Sequence, residues 1–420
     1  MFLDIILAVP FILLLLSIAL LPFFLSHWWH RNYPKVVVVL SAIILFYYFI
    51  VESEPSEVLD TLHEYLSFIS LLFSLFVISG GIFIHLKGKS TPLKNIGLLF
   101  TGAVISNLFG TTGAAMLLIR SFISFNKYRI KPFHIIFFIF IVCNVGGSLT
   151  PIGDPPLFLG FLRGVPFFWV SQHLMVVWIT TIAYLLLLFY IFDLYYYKKI
   201  PVESVEDIEK EEGEFKFEGW YNVLFLFGII IAVFIEQPIF MRELIMLGLA
   251  FLSYKITPNK IYQRNNFTFE PIKEVAILFF GIFVTMIPAL SLLSKNAENL
   301  GLTKPGDFYW ATGLLTSFLD NAPTYLNFLT VSMGLFDMDV TQNGDVLAFT
   351  QIYPVFLVAI SISAVFFGAM TYIGNGPNFM VKSIADYSKV EMPTFLEYIY
   401  KYSLPILLPF YFILWYFLFS

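Results

Sequence analysis

The sequence predicts an all-α polytopic membrane protein with about ten transmembrane helices and two opposed re-entrant hairpins. Of its 420 residues, 59% are hydrophobic and only 13% are charged, whereas soluble domains carry about 25% charged residues. Apolar runs long enough to cross a membrane recur along the whole chain. Two further apolar stretches are interrupted by Asn, Thr, Gly and Pro, which are costly in hydrocarbon unless they line a site.

The runs of spanning length are distributed evenly between the two halves of the chain. They lie at about 3–25, 35–51, 64–86, 133–162, 168–194, 219–236, 239–255, 272–292, 350–385 and 394–418. The interrupted stretches lie at about 93–119 and 306–335. The first run has no charged segment before it and is long, so we interpret it as a span and not as a signal peptide.

Loop charges predict how these elements are oriented. The first loop carries Arg31 and is assigned to the cytoplasm by the positive-inside rule. Both flanks of 93–119 are basic, so this stretch is expected to enter and leave on the cytoplasmic side as a hairpin. The flanks of 306–335 are acidic, so the second hairpin is expected to enter from outside. The protein is therefore expected to be a multi-pass protein of the cell (plasma or inner) membrane, with both termini outside.

Landmarks recur in the same order in the two halves. Four pairs keep a slowly growing offset: Glu64 with Glu274 (210), Asn107 with Asn321 (214), Gly153 with Gly374 (221) and Pro166 with Pro393 (227). Duplication with small insertions would produce this drift. We therefore expect two inverted repeats, 1–199 and 219–420, each with five spans and one hairpin. A charged cytoplasmic linker, 200–218, would separate them.

Each half also contains a segment that is expected to unwind a membrane helix. The first is NVGGSLTPIGDPP, residues 144–156, and the second is TYIGNGPN, residues 371–378. Their glycines permit positive φ and close approach, and their prolines break the helix. The glycines expected to shape the unwound backbone are Gly146, Gly147, Gly153, Gly374 and Gly376. Carbonyls freed at such joints bind cations, while half-helix N-termini favour anions.

The candidate ion or substrate ligands are the polar side chains of these segments and of the hairpin tips. They are Ser106, Asn107, Thr111, Thr112, Asn144, Ser148, Thr150, Asp154, Asp320, Asn321, Thr324, Thr371, Asn375 and Asn378. Only Asp154 and Asp320 are acids. A hard cation such as sodium takes several oxygen ligands of this kind. A buried carboxylate can also take a proton, because burial disfavours its charged form. One group that accepts either ion is a simple basis for exchange.

Other classes of function lack their motifs. His63-Glu64 is followed by Tyr-Leu-Ser and not by a zinc-protease pattern, and neither the intramembrane serine nor the aspartyl motif is complete. No enzyme activity, nucleic-acid binding or resident cofactor is therefore expected, and Na+ and H+ are the only ions implied. The single cysteine, Cys143, excludes a disulfide within the chain. Arg120 and Arg163 are interpreted as anchors at the membrane interface.

At these motifs the sequence resembles the ion transporter superfamily, which includes NhaD-type sodium/proton antiporters and citrate-transporter-like carriers. The resemblance rests on GGSLTPIGDPP and GNGPN and covers roughly 64–420. It implies two hairpins, two unwound helices, sodium coupling and a homodimer embedded in membrane lipid. Dicarboxylate carriers of this superfamily show Ser-Asn-Thr at both hairpin tips. Here the tips read Ser106-Asn107-Leu108 and Asp320-Asn321-Ala322.

Two transport functions follow from these residues. The leading hypothesis is a sodium/proton antiporter that works by alternating access, because two acids lie among neutral oxygens at the expected joints. The alternative is a sodium-coupled transporter of citrate, another carboxylate or another small anion, held by Asn and Thr side chains and helix N-termini. None of the four motifs contains Arg or Lys, which favours the antiporter.

Overall fold

The computed structural model describes residues 2–53, 55–199, 214–235 and 237–420. In the first half the helices are α1 Phe2–Phe24, α2 Ser26–Phe46, α3 Ser56–Gly80, α4 Pro92–Phe125, α5 Pro132–Ile141, α6 Pro155–Leu162 and α7 Trp169–Tyr197. In the second half they are α8 Asn222–Val233, α9 Met241–Ile256, α10 Asn259–Arg264, α11 Glu270–Lys295, α12 Pro305–Thr316, α13 Asn321–Gly334, α14 Asn343–Ile352, α15 Pro354–Phe366, α16 Gly376–Tyr387, α17 Phe395–Tyr398 and α18 Leu404–Leu418. Strands β1, Phe83–Lys87, and β2, Glu214–Glu218, form an antiparallel pair.

The prediction of an all-α polytopic membrane protein is confirmed. In the described part of the chain, seven helices are long and apolar enough to cross a membrane, or eight if one bent pair is counted as a span. The predicted run 350–385 is wrong at its start, because the chain bends by 98° between Asn343–Ile352 and Pro354–Met370. Helices α8 and α9 have 12 and 16 residues, or about 18 and 24 Å, and are shorter than the hydrocarbon core of about 30 Å.

Helix α4 is a re-entrant hairpin, here called hairpin 1, although its length and hydropathy match those of a span. Gly110 interrupts it with φ 76° and ψ 154°, a backbone conformation that glycine adopts without strain. The side chains of Asn95 and Asn126, 31 residues apart, exchange hydrogen bonds of 2.8 and 3.0 Å. A straight helix would separate these two residues by about 46 Å. The two arms therefore fold back on each other at Gly110.

Hairpin 2 consists of α12 and α13, which turn at residues 317–320. The rings of Phe308 and Phe328, on opposite arms, have centroids 6.4 Å apart. A Cβ on Gly164, which follows α6, would lie 3.3 Å from the Cα of Asn343, just beyond the base of this hairpin. Hairpin 2 therefore has its base at the end of the molecule where α6 ends.

The base of hairpin 1 lies at the opposite end of the molecule. Arg129, just beyond its second arm, donates to the backbone carbonyl of Ser90, just before its first arm, at 2.9 Å. At this end the β1–β2 pair joins the chain before hairpin 1 to the last residues of the predicted linker. Residues 200–213 of that linker lie outside the described residues. Asn265 donates to the carbonyls of Gly80 and Ile82 at the same end. The flanks of hairpin 1 and the end of the linker, which the sequence predicts to be cytoplasmic, thus lie together.

Candidate functional site

The tips of both hairpins meet at Asp154, the residue that precedes α6. Its side chain is 1% exposed. Its Oδ1 atom accepts from Thr111 of hairpin 1 at 2.8 Å and from Asn375 at 3.0 Å, and its Oδ2 atom accepts from Asn321 of hairpin 2 at 2.6 Å. Although Asp154 occupies the N-cap position of α6, it makes no side-chain cap hydrogen bond. All of its side-chain hydrogen bonds with described residues thus lead to other elements, and all of these donors are neutral.

Asp154 and Asn375 hold equivalent positions in two unwound segments. Segment 1, residues 142–154, joins α5 to α6, and segment 2, residues 367–375, joins α15 to α16. Both residues are N-caps of the following helix, with φ and ψ of −146° and 142° for Asp154 and −152° and 139° for Asn375. They are 221 residues apart, and one bonds the other.

The same backbone contact closes both segments. A Cβ on Gly153 would lie 2.1 Å from the carbonyl oxygen of Gly147, and a Cβ on Gly374 would lie 2.6 Å from that of Gly368. Only glycine fits such an approach, so the sequence prediction of close approach describes Gly147, Gly153 and Gly374 well. The predicted positive φ is wrong for them, since the positive-φ glycines of the described chain are others. Gly376 has open space around it and begins α16, so it does not shape the unwound backbone.

The same side-chain bond also fixes both segments to their hairpins. Thr150 of segment 1 donates to the carbonyl of Asn107 and accepts from the amide of Gly153, at 2.5 and 3.1 Å. Thr371 of segment 2 donates to the carbonyl of Ser317 and accepts from the amide of Gly374, at 2.5 and 3.2 Å. Each threonine therefore anchors its segment to the hairpin of its own half.

These contacts correct the register in which the sequence aligned the hairpin tips. The threonine bonds make Ser317 the counterpart of Asn107, at an offset of 210 (317 − 107), where the sequence had aligned Asn321 with Asn107. At the same offset Thr111 is the counterpart of Asn321, and both donate to Asp154. The shared asparagine misled the alignment because it is chemically alike and lies one helical turn away.

Several predicted ligands are bonded within the scaffold. Ser106 donates to two carbonyls, those of Gly102 and Val142, each at 2.8 Å. The amide of Asn107 bonds Ala103 and Leu149. Ser148 and Thr324 bond carbonyls three and four residues earlier in the chain. These side chains hold neighbouring stretches of backbone together, since each is hydrogen-bonded to main-chain groups.

Asn144 and Asn378 connect the two unwound segments to each other. Asn144 donates to the side-chain oxygen of Asn378 at 2.8 Å, and Asn378 donates to the carbonyls of Gly368 and Thr371 at 2.8 and 3.0 Å. Asn375 bonds the carbonyl of Cys143 as well as Asp154. The backbone carbonyl of Gly146, in unwound segment 1, accepts from the indole of Trp178 at 3.1 Å.

The second predicted acid, Asp320, has a different environment. It is half-buried, and its Oδ1 atom caps α13 by accepting from the amide of Ala322 at 3.1 Å. The neighbouring Asn321 has a buried side-chain oxygen that has no hydrogen-bond partner among the described residues. Since Asn321 donates its amide to Asp154, a rotation of this amide would turn that free oxygen toward the carboxylate. The tip of hairpin 2 thus offers one acid used as a cap and one unused oxygen.

A small cavity of about 70 Å³ adjoins the tip of hairpin 1. Thr111, Thr112 and Gly113 line one side, Gly153 lines another, and apolar residues of α3 and the first turns of α11 complete it. Thr112 is half-buried. The structure therefore places a small cavity, partly open to the outside, next to the residues that bond Asp154.

Sequence reasoning missed a buried polar cluster at the base of hairpin 1. Asp193 of α7 is fully buried and forms an ion pair with Arg129. The Nη2 atom of Arg129 donates to the Oδ2 atom of Asp193 at 2.9 Å. It also bonds His134 at 3.1 Å and Asn95 at 3.0 Å. The only sign of this cluster in the sequence is an acid, Asp193, within an apolar run. Its partners could not be identified from the sequence because they lie 59 to 98 residues away along the chain.

The comparison with protein families agrees with this geometry. No curated protein matches the chain. One family model, described as "Putative citrate transport", matches residues 2–419. This range includes both hairpins, both unwound segments and every residue bonded to Asp154. The chain therefore belongs to this citrate-transport family of membrane proteins.

Proposed function

We propose that the protein is a secondary transporter that moves citrate or a related carboxylate, coupled to a cation that binds at Asp154. The cargo is taken from the description of the family to which the chain belongs. The coupling is argued from the site. Alternating access would carry both across the membrane, with the two halves as inverted repeats.

The observation that carries this proposal is the set of partners around the Asp154 carboxylate. Thr111, Asn321 and Asn375 donate to it from three other elements, and among the described residues no Lys or Arg is bonded to it. A buried carboxylate without a positive partner is costly. Binding Na+ or H+ removes this cost. Because the donors come from both hairpins and segment 2, occupancy by a cation changes the bonds of all four elements.

Sodium has suitable ligands at this place. Asp154 supplies a carboxylate, Thr111 a hydroxyl and Asn321 a side-chain oxygen that no other described residue bonds. Hard cations favour such oxygen sets. A proton would need only Asp154, with Asn321 rotated to accept from it. Arrival of either ion would change the donors of Asp154 and reorganise the contact between the hairpin tips.

The second candidate function is sodium/proton exchange without an organic cargo. It is favoured by the absence of a positive side chain bonded to the carboxylate in the described residues and by a second acid, Asp320, beside Asn321. Two carboxylates at one place could hold a sodium ion and a proton in turn. The two candidates share Asp154 as the cation site and differ in what crosses with the ion.

Transport by purified protein in liposomes separates the candidates. An imposed sodium or proton gradient should drive uptake of labelled citrate, and the Asp154→Asn variant should abolish it. The Asp386→Asn variant is the control, because it removes an exposed carboxylate that pairs with Lys382. Sodium-triggered proton movement without citrate, read with an internal pH dye, would support exchange. If neither flux depends on Asp154, the cation site is elsewhere.

A further inference from the structure

Arg120, in the second arm of hairpin 1, has a buried Nη1 atom without a hydrogen-bond partner in the described part of the chain. Four other arginines each contact a carboxylate: Arg129 with Asp193, Arg163 with Glu64, Arg242 with Glu243 and Arg264 with Glu218. No such pair of described residues includes Arg120. Burying one nitrogen of a guanidinium without a partner is costly, and the rest of the side chain is partly exposed, so Arg120 is suited to a negative group that comes from outside the chain.

Arg120 lies on an accessible stripe that begins at the cavity. Between residues 111 and 122, Thr112, Met116 and Arg120 are partly exposed and the other residues are buried. Their spacing of four places them on one side of the helix. Thr112 lines the cavity next to the Asp154 site, and so does Gly113, seven residues before Arg120. The stripe thus leads from the cavity to the guanidinium.

The stripe runs toward the end of the molecule where the basic loops lie. Arg120 is nine residues beyond Thr111, or about 14 Å along the arm. Its neighbour Ser121 donates to the backbone carbonyl of Ile84 in β1. That end carries Lys89 and Lys94, which the positive-inside rule assigns to the cytoplasm. Arg120 therefore stands between the cytoplasmic surface and the cavity.

We propose that Arg120 binds a carboxylate group of the transported anion at the cytoplasmic entrance to the cavity beside Asp154. This inference rests on the proposed function, in which the cargo is a carboxylate. The planar guanidinium matches a carboxylate with two parallel hydrogen bonds. The phosphate of a lipid headgroup is an oxyanion of similar chemistry and is the competing source of negative charge at this depth.

The test is citrate transport measured separately from each side of the membrane. Labelled citrate uptake is followed in inside-out and right-side-out vesicles for the wild type, Arg120→Gln and Arg120→Lys. Arg120→Gln should raise the citrate KM at the cytoplasmic face by about tenfold or more, since a charged hydrogen bond is lost, with a smaller change at the other face. Arg120→Lys should recover part of the affinity. Arg264→Gln, which removes an exposed charge at the same end, should leave KM unchanged.

The possible outcomes separate this inference from the proposed function. A wild type without citrate flux contradicts the proposed function and the inference with it. A wild type with flux, together with an unchanged KM in Arg120→Gln, contradicts only the role of Arg120. Citrate uptake into liposomes of zwitterionic lipid, with and without anionic lipid, tests whether a lipid headgroup is the ligand of Arg120 instead. If the Arg120→Gln defect follows the anionic lipid and not the citrate concentration, the ligand is a headgroup and the inference is wrong.

Discussion

Unwound segments 1 and 2 share a backbone but differ in charge. Both are closed by the same glycine contact and anchored by the same threonine bond. At the equivalent N-cap position, segment 1 has Asp154 and segment 2 has Asn375, and these two side chains bond each other. The difference teaches that the scaffold is repeated whereas the chemistry is not. One amide in place of a carboxylate turns a symmetric junction into a site with one negative charge.

The largest effect is expected from removing this charge. Asp154→Asn makes the two segments alike, so the junction no longer attracts a cation. Cation-dependent transport should fall by on the order of 100-fold or more, because ligand charge governs the affinity of such sites. Sodium-dependent uptake into liposomes measures it. Wild-type sodium dependence in this variant would mean that the asymmetry has no role in coupling.

Exchanging the two side chains tests whether the position of the charge matters. The double variant Asp154→Asn/Asn375→Asp keeps one carboxylate at the junction. In this variant the hydrogen bond from the Asn375 amide to the Cys143 carbonyl is lost. The new carboxylate at position 375 would face that carbonyl oxygen. We expect cation dependence above that of Asp154→Asn but about tenfold below the wild type, since a carbonyl loses its donor. Full recovery would show that either segment can carry the charge equally well.

The hairpin tips should contribute less than the carboxylate itself. Thr111→Val removes one of three donors to Asp154 while keeping the shape of the side chain. The sodium concentration for half-maximal transport should change by about threefold to tenfold, as one hydrogen bond to a charged group is lost. Thr112→Val, the same change one residue later, is the control. Equal effects of the two variants would contradict a specific role for Thr111.

The anchoring threonines should show equal effects if the two segments are equivalent. Thr150→Val and Thr371→Val each remove a bond to a hairpin carbonyl and an acceptor for a glycine amide. Each should lower the free energy of unfolding by about 1–2 kcal/mol. Thermal melts of the detergent-solubilised protein compare them. A marked difference between the two changes in melting temperature would show that the two contacts have the same geometry but contribute unequally to stability.

The smallest effect is expected at Asp320. Asn caps a helix about as well as Asp, so Asp320→Asn should preserve stability and change cation-coupled citrate uptake by no more than about twofold. The same variant should lose transport if the protein exchanges sodium for protons with both acids. Citrate uptake and proton movement measured on one preparation decide between these results.

The elements that local sequence controls could be predicted, and those set by distant contacts could not. Polar breaks in apolar runs predicted both hairpins and both unwound segments, since such breaks need a structural cause. Asp154 was a candidate because no other acid lies in segment 1. The register of the tips was not predictable, because Asn107 and Asn321 are identical in type and only the bonds of Thr150 and Thr371 show which residues correspond.

The arginines illustrate the same limit. By sequence, Arg120 and Arg163 look alike, as single charges near the ends of apolar runs. In the structure each has one buried nitrogen without a hydrogen-bond partner among the described residues, but Arg163 contacts Glu64 at 2.8 Å, whereas Arg120 forms no ion pair with a described residue. Their partners, or the lack of them, depend on tertiary packing. Interpreting both as interface anchors therefore missed the difference between a paired charge and an available one.

The cluster at the base of hairpin 1 also constrains the order of assembly during synthesis. Asp193, which bonds Asn95, His134 and Arg129, is made 64 residues after Arg129. Until α7 enters the membrane, the two ends of the hairpin lack their shared acid, and the charge of Arg129 lacks its counter-charge. The first half of the chain can therefore reach its final arrangement only after α7 has been inserted. Asp193 thus completes the base of hairpin 1 only once α7 is in place, in a cluster separate from the residues that bond Asp154.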